Sequence, residues 1–214
     1  MVTFRGLTID TEVKRIMTSS FVRFALLVAL FVGGVSAQVS YATDYSEGTD
    51  LSGTFSAPTS MGTLTLGSNL LTGNAGSSGD IDYVRFDVPA GHLLSSLNLN
   101  SYNSTNGIAF LGMQAGTAFT VSAGAAQPSD LKGYVHFGTD VGNIGTNVLD
   151  DMGIAPGAQG FTPPLPAGPY TLWIQNASGV ATGYQFNLVV TVPEPATAGL
   201  LGLGLLSLCA WRRR

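Results

Sequence analysis

Carboxylates carry most of the chemistry that this sequence can offer. Asp80 and Asp82 lie two apart, and in an extended strand that spacing turns both side chains to one face. Asp150 and Asp151 are adjacent, with Asp140, Asn143 and Asn147 just upstream in a Gly-rich stretch. Hard oxygen ligands on loops suit Ca²⁺, which takes roughly six to eight of them. The favoured reading of these acids is a solvated surface that keeps an exported chain soluble, with no cofactor. Calcium at Asp80, Asp82, Asp140, Asp150 and Asp151 is the alternative. Two acids can also hydrolyse a glycosidic bond, but no aromatic platform flanks either pair in the sequence. Trp173 stands opposite in phase to Leu172 and Ile174, so it either packs in a core or stacks on a ligand.

Nucleophilic catalysis finds little support. His92 and His136 are the two histidines and hence the two near-neutral bases. His92 follows Pro89-Ala90-Gly91 in a turn, and His136 alternates with Val135 and Phe137, which predicts an outward side chain. No Gly-x-Ser-x-Gly elbow, His-Glu-x-x-His helix, Cys-x-x-Cys pair or phosphate-binding loop occurs. The expectation is a protein that is not an enzyme, with a hydrolase built on His92 or His136 as the less favoured alternative.

Charge narrows the partners. Charged residues are 10% of the 214, against about 25% in an average soluble domain. Four of the nine basic residues precede position 24, and three are Arg212, Arg213 and Arg214. Between residues 38 and 192 only Arg85 and Lys132 stand against ten acids, a formal charge of −8. Such a surface repels phosphate backbones, so nucleic acid is excluded as a partner. The single cysteine, Cys209, lies in a C-terminal apolar run, and no disulfide can form within the body.

The elements that must hold these groups read as strands. Strand-like runs, bounded by Gly, Pro, Asn, Asp and Ser breaks, recur at 64–66, 81–88, 97–99, 119–121, 134–137, 170–175 and 184–192, most with period-two alternation, and 108–113 is a nearly continuous apolar strand. On the second of these, Val84, Phe86 and Val88 share a face opposite Arg85 and Asp87. The pattern predicts an all-β domain, an antiparallel β-sandwich or jelly roll of seven to nine strands, over residues 61–192. Residues 38–60 are polar and read as a flexible lead-in or an edge strand. Residues 138–168 read as a long connection, with one helical turn near 147–152, that is either functional or disordered.

Both ends carry targeting signals. Lys14, Arg15 and Arg23 precede the apolar run 24–32, and Val35 and Ala37 place small residues where signal peptidase reads them. Residues 1–37 are expected to be a helical signal peptide cut after Ala37, with Met17 as the more typical start. At the other end, Val192-Pro193-Glu194-Pro195 precedes the apolar stretch 196–211 and the arginine triplet 212–214. Sixteen helical residues span about 24 Å, close to a hydrocarbon core of about 30 Å. The arginines hold the tail on the cytoplasmic side of the inner membrane.

Residues 193–214 resemble the PEP-CTERM sorting signal of Gram-negative bacteria: Pro-Glu-Pro, a short Gly/Leu-rich helix and a basic tail. The resemblance implies processing by an exosortase and delivery to the cell surface or an exopolysaccharide matrix. A plain single-span anchor is the alternative. The body resembles pre-peptidase C-terminal-type domains, in Asp80 to Gly91 (DIDYVRFDVPAG) and in 167–174 followed by 184–188, which are similar to that family's closing hairpin. That likeness implies a small, non-catalytic extracellular sandwich, in a family whose members include calcium and polymer binders.

Overall fold

The computed structural model describes residues 43–193 apart from 49, 77, 78 and 177. The signal segment with Val35 and Ala37, the helix expected at 196–211, and Glu194, Pro195 and Arg212 to Arg214 lie outside the described residues. Among those described, no helix is long and apolar enough to cross a membrane.

Among the described residues nine strands form two facing sheets. They are β1 (Thr43–Ser46), β2 (Thr59–Thr63), β3 (Gly67–Ala75), β4 (Ile81–Val88), β5 (Leu93–Asn103), β6 (Ala109–Ala115), β7 (Gly133–Phe137), β8 (Gly168–Gln175) and β9 (Thr182–Thr191). One sheet runs β1-β3-β9-β5 and the other β2-β4-β8-β6-β7. One short helix, α1 (Leu149–Gly153), sits in the β7–β8 connection. The period-two pattern explains the layers. Val84, Phe86 and Val88 of β4, Leu172 and Ile174 of β8, and Leu111 and Met113 of β6 pack on Leu71, Leu97, Leu99, Phe186 and Leu188 of the other sheet. Phe137 meets Phe186 edge-on across the core, at 5.1 Å between centroids. Each such burial contributes roughly 1.5–3 kcal/mol, which lets a body without cysteine hold together.

The sheets are mixed rather than antiparallel throughout. β1 runs parallel to β3, and β2 runs parallel to β4. The cause is the path of the chain: its first four strands alternate between sheets. Each strand of the opposite sheet therefore serves as the crossover that a parallel pair requires. Residues 38–60, expected to be largely a lead-in, supply edge strand β1, the start of edge strand β2 and the buried Leu51. The sandwich therefore begins well before residue 61.

Three other expectations need correction. Leu64 and Leu66 lie in the turn between β2 and β3, where Leu64 is buried without a strand around it. Phe119 and Val121 form no strand. Residues 116–132 instead fold over the outer face of the five-stranded sheet, burying Phe119 and Leu131 against Tyr83 and Trp173. Trp173 is thus packed on the face away from the main core, because both faces of β8 are covered. β8 and β9 do not close as a hairpin, since they belong to different sheets.

The 138–168 connection is ordered and runs along edge strand β5. Val148 donates its N–H to Leu97, Leu99 donates to Thr146, and Leu94 and Leu165 exchange a pair of backbone bonds. Val148, Leu149, Met152 and Leu165 are buried in the main core. The connection therefore covers an edge that would otherwise present unpaired backbone groups.

Candidate functional site

The carboxylates separate into two sets once the strands are in place. Asp140, Asp150 and Asp151 are exposed. The asparagines near them serve the backbone: Asn143 Oδ1 accepts from Gly138 N–H and its Nδ2 donates to the His136 carbonyl. Asn147 Oδ1 accepts from the N–H groups of Leu97 and Leu149, and its Nδ2 donates to Asp150 at 3.1 Å. Asn147 thus ties the connection to β5 and Asn143 ties it to the end of β7, and among the described residues the one cluster of three potential ligand carboxylates does not include Asp140, Asp150 or Asp151.

Asp82 behaves otherwise. It shares the parity of Val84, Phe86 and Val88, so β4 turns it inward, and it is fully buried. From the opposite sheet, Tyr184 of β9 donates its hydroxyl to Asp82 Oδ2 at 2.6 Å. This bond joins the two sheets at one end of the sandwich. Gly73 makes room for it. Gly73 pairs with Tyr184 across β3 and β9, and a Cβ there would stand 2.6 Å from the ring carbon bearing the hydroxyl. Asp82 Oδ1 has no hydrogen-bond partner.

Two more acids close on this corner from the segment after β1. Carboxylate oxygens of Glu47, Asp50 and Asp82 lie within 4.8 Å of one another. Glu47 is held in place by two backbone donors, Leu51 N–H on Oε1 at 3.2 Å and Asn74 N–H on Oε2 at 2.5 Å. Asp80 sits beside the corner, partly buried, and accepts from Gly76 N–H. Burial pushes the Asp82 carboxyl up to about 7; the Tyr184 hydrogen bond opposes this, and the charges of Asp80, Glu47 and Asp50 add to it. Tyr184 is held well above the ordinary phenol range by burial and by the Asp82 charge.

Of the acids singled out in the sequence, the structure brings Asp82 and Asp80 to one corner. It adds Glu47 and Asp50, which sequence reasoning missed. A signal for Asp82 was available, because its parity with Val84, Phe86 and Val88 forecasts burial. None was available for Glu47 and Asp50, which lie more than thirty residues away in the chain. Both histidines are engaged locally. His92 Nδ1 lies 3.0 Å from the Ala90 carbonyl of its own turn. His136, exposed on β7, meets Phe110 edge-on at 5.8 Å.

A second cluster occupies the outer face of the five-stranded sheet. Trp173, Phe110 and Tyr134 stand on adjacent strands, with centroids 4.7 Å apart for Phe110 and Trp173 and 5.8 Å for the stacked Phe110 and Tyr134. Gly112 lies between Trp173 and Tyr134 in the ladder, and the missing Cβ leaves space for the rings. Phe110 and Tyr134 remain half-buried, so the sheet assembles from three distant strands an aromatic surface that no local stretch of sequence displays.

The chain leaves the sandwich at the end of β9, where Val192 and Pro193 are exposed. Proline cannot donate to a ladder, which ends the strand there. Residues 191–214 match the PEP-CTERM protein-sorting motif. The motif implies an exported protein sorted by an exosortase, with a membrane-anchored precursor before processing. It takes over at Thr191, the last residue of β9. No curated protein and no solved structure matches the chain. The likeness of the body to pre-peptidase C-terminal-type domains thus has no relative behind it.

Proposed function

We propose that this protein is a non-enzymatic component of the cell surface or extracellular matrix, its β-sandwich serving a structural or adhesive role toward polysaccharide. The sorting motif at residues 191–214 carries the reading, and its residues Val192 and Pro193, exposed just past β9, are open to a processing enzyme. Further support comes from the body itself. It has a formal charge of −8 over residues 38–192, which suits a neutral polymer better than an anionic one. Its half-buried Phe110 and Tyr134 rings, with His136 beside them, offer apolar faces next to a polar group, the mixture that sugar-binding surfaces use. The family likeness read in the body, a small non-catalytic extracellular sandwich, is part of this proposal.

The deciding experiment is mass spectrometry of the mature termini, on protein recovered from its native host. The expected product begins near Gln38 and lacks residues 196–214. An intact arginine tail in the membrane fraction would overturn the sorting step and leave an ordinary anchor. Retention of the mature protein on the host's exopolysaccharide fraction, weakened in Tyr134→Ala without loss of strand content, tests the adhesive part.

A further inference from the structure

We propose that Glu47, Asp50 and Asp82 form a divalent-cation site of calcium type, which clasps the segment after β1 to the buried corner between the sheets. Two independent observations meet here. The first is geometric: the three carboxylates present oxygens within 4.8 Å of one another. Oxygens bound to one calcium at about 2.3–2.6 Å can stand up to about 5 Å apart, so the three carboxylates are close enough to share one such ion.

The second observation is an unsatisfied acceptor. Asp82 is 0% exposed, and its Oδ1 has no partner although its Oδ2 takes the Tyr184 hydroxyl. A buried, unpaired carboxylate oxygen is costly unless something positive meets it. Among the described residues only Arg85 and Lys132 are basic, and neither belongs to this corner. A cation removes the penalty at Asp82 and the repulsion among the three acids together.

The remaining parts are already in place. Leu51 and Asn74 N–H groups fix the Glu47 carboxylate while leaving it lone pairs for a metal. The Tyr184 hydroxyl fixes Asp82. Asp50 is exposed, so water can reach the corner and complete a coordination number of roughly six to eight. Extracellular calcium modules hold the ion with dissociation constants on the order of 10⁻⁴–10⁻³ M. Such a site fills outside the cell and stays empty in the cytoplasm. That consequence, unlike the site itself, rests on the export reading.

The test is a calcium titration of the full chain in detergent at about pH 8, after removal of metal with EGTA, followed by calorimetry and thermal melting. Binding is expected, with a midpoint rise of about 5 °C at calcium a hundredfold above the dissociation constant. Asp82→Asn and Glu47→Gln should each weaken binding at least about tenfold. Glu47→Gln leaves the buried Asp82–Tyr184 pair untouched and serves if Asp82→Asn fails to fold. The double variant Asp150→Asn/Asp151→Asn should bind as the parent does. Absence of heat and of any midpoint shift at calcium up to about 100 mM, a hundredfold above the weaker end of that range, overturns the proposal. So does a Glu47→Gln chain with parental affinity, or loss of binding in the Asp150/Asp151 variant. The unprocessed chain is used throughout, so this result and the fate of the sorting tail are independent.

Discussion

Asn69 and Asp82 are both fully buried polar side chains in the same sandwich, and the protein treats them in opposite ways. Asn69 Nδ2 donates to the carbonyls of Thr65, Gly67 and Leu188, and its Oδ1 accepts from Thr65 N–H at 2.8 Å. Every polar atom of that amide is used, and the turn between β2 and β3 is tied to β9 as a result. Asp82 has one bond to Tyr184, a bare oxygen and three acidic neighbours. A saturated buried network specifies a fold; a partly saturated one is a strain unless a ligand completes it.

The largest effect should come from pH in the absence of divalent cation. Asp82 has a folded pKa of about 7 against an ordinary value of 3.8, so the folded chain holds a proton that the unfolded chain releases. Stability should therefore be greatest below about pH 4, fall as pH rises through 4 to 7, and level off above 7. At about 1.4 kcal/mol per unit, the full swing is at most about 4 kcal/mol. Asp82→Asn should flatten the profile over this window in urea unfolding. A parental slope persisting in Asp82→Asn would place the titrating group elsewhere.

Next in size, Asn69→Ala should cost about 3 kcal/mol, because it removes the amide that bonds Thr65 N–H and the buried Leu188 carbonyl. Its pH profile should stay that of the parent, since no titrating group is involved. The two variants together divide the comparison: one changes stability at every pH, the other changes the slope.

Smaller again, Gly73→Ala should cost about 2 kcal/mol through crowding of the Tyr184 ring. It should also weaken calcium binding, since the displaced hydroxyl no longer orients Asp82. Stability loss with unchanged calcium affinity would show that Tyr184 props the sheets and plays no part in aiming the carboxylate.

Strands β4, β8 and β9 were legible because alternation with period two survives in Val84-Phe86-Val88, Leu172-Ile174 and Tyr184-Phe186-Leu188. Phe119 and Val121 mimic the same pattern, yet they sit in a loop, since a short alternating run cannot distinguish a strand from a cover folded over one. The aromatic surface of Phe110, Tyr134 and Trp173 was invisible for a related reason. Its members come from three strands, and their neighbourhood is set by pairing register rather than by spacing in the chain.

What the sequence determined by itself is local and terminal. The sorting motif is read by an enzyme as a linear string, and the β character follows from side-chain alternation, so neither depends on distant residues. Tertiary structure alone decided that two strand pairs run parallel, that residues 138–168 guard an edge, and that Glu47, Asp50 and Asp82 meet. Those outcomes depend on which segments of a folded chain lie side by side. The physical reason is that pairing and burial act between residues tens of positions apart, whereas alternation and motifs act within a few.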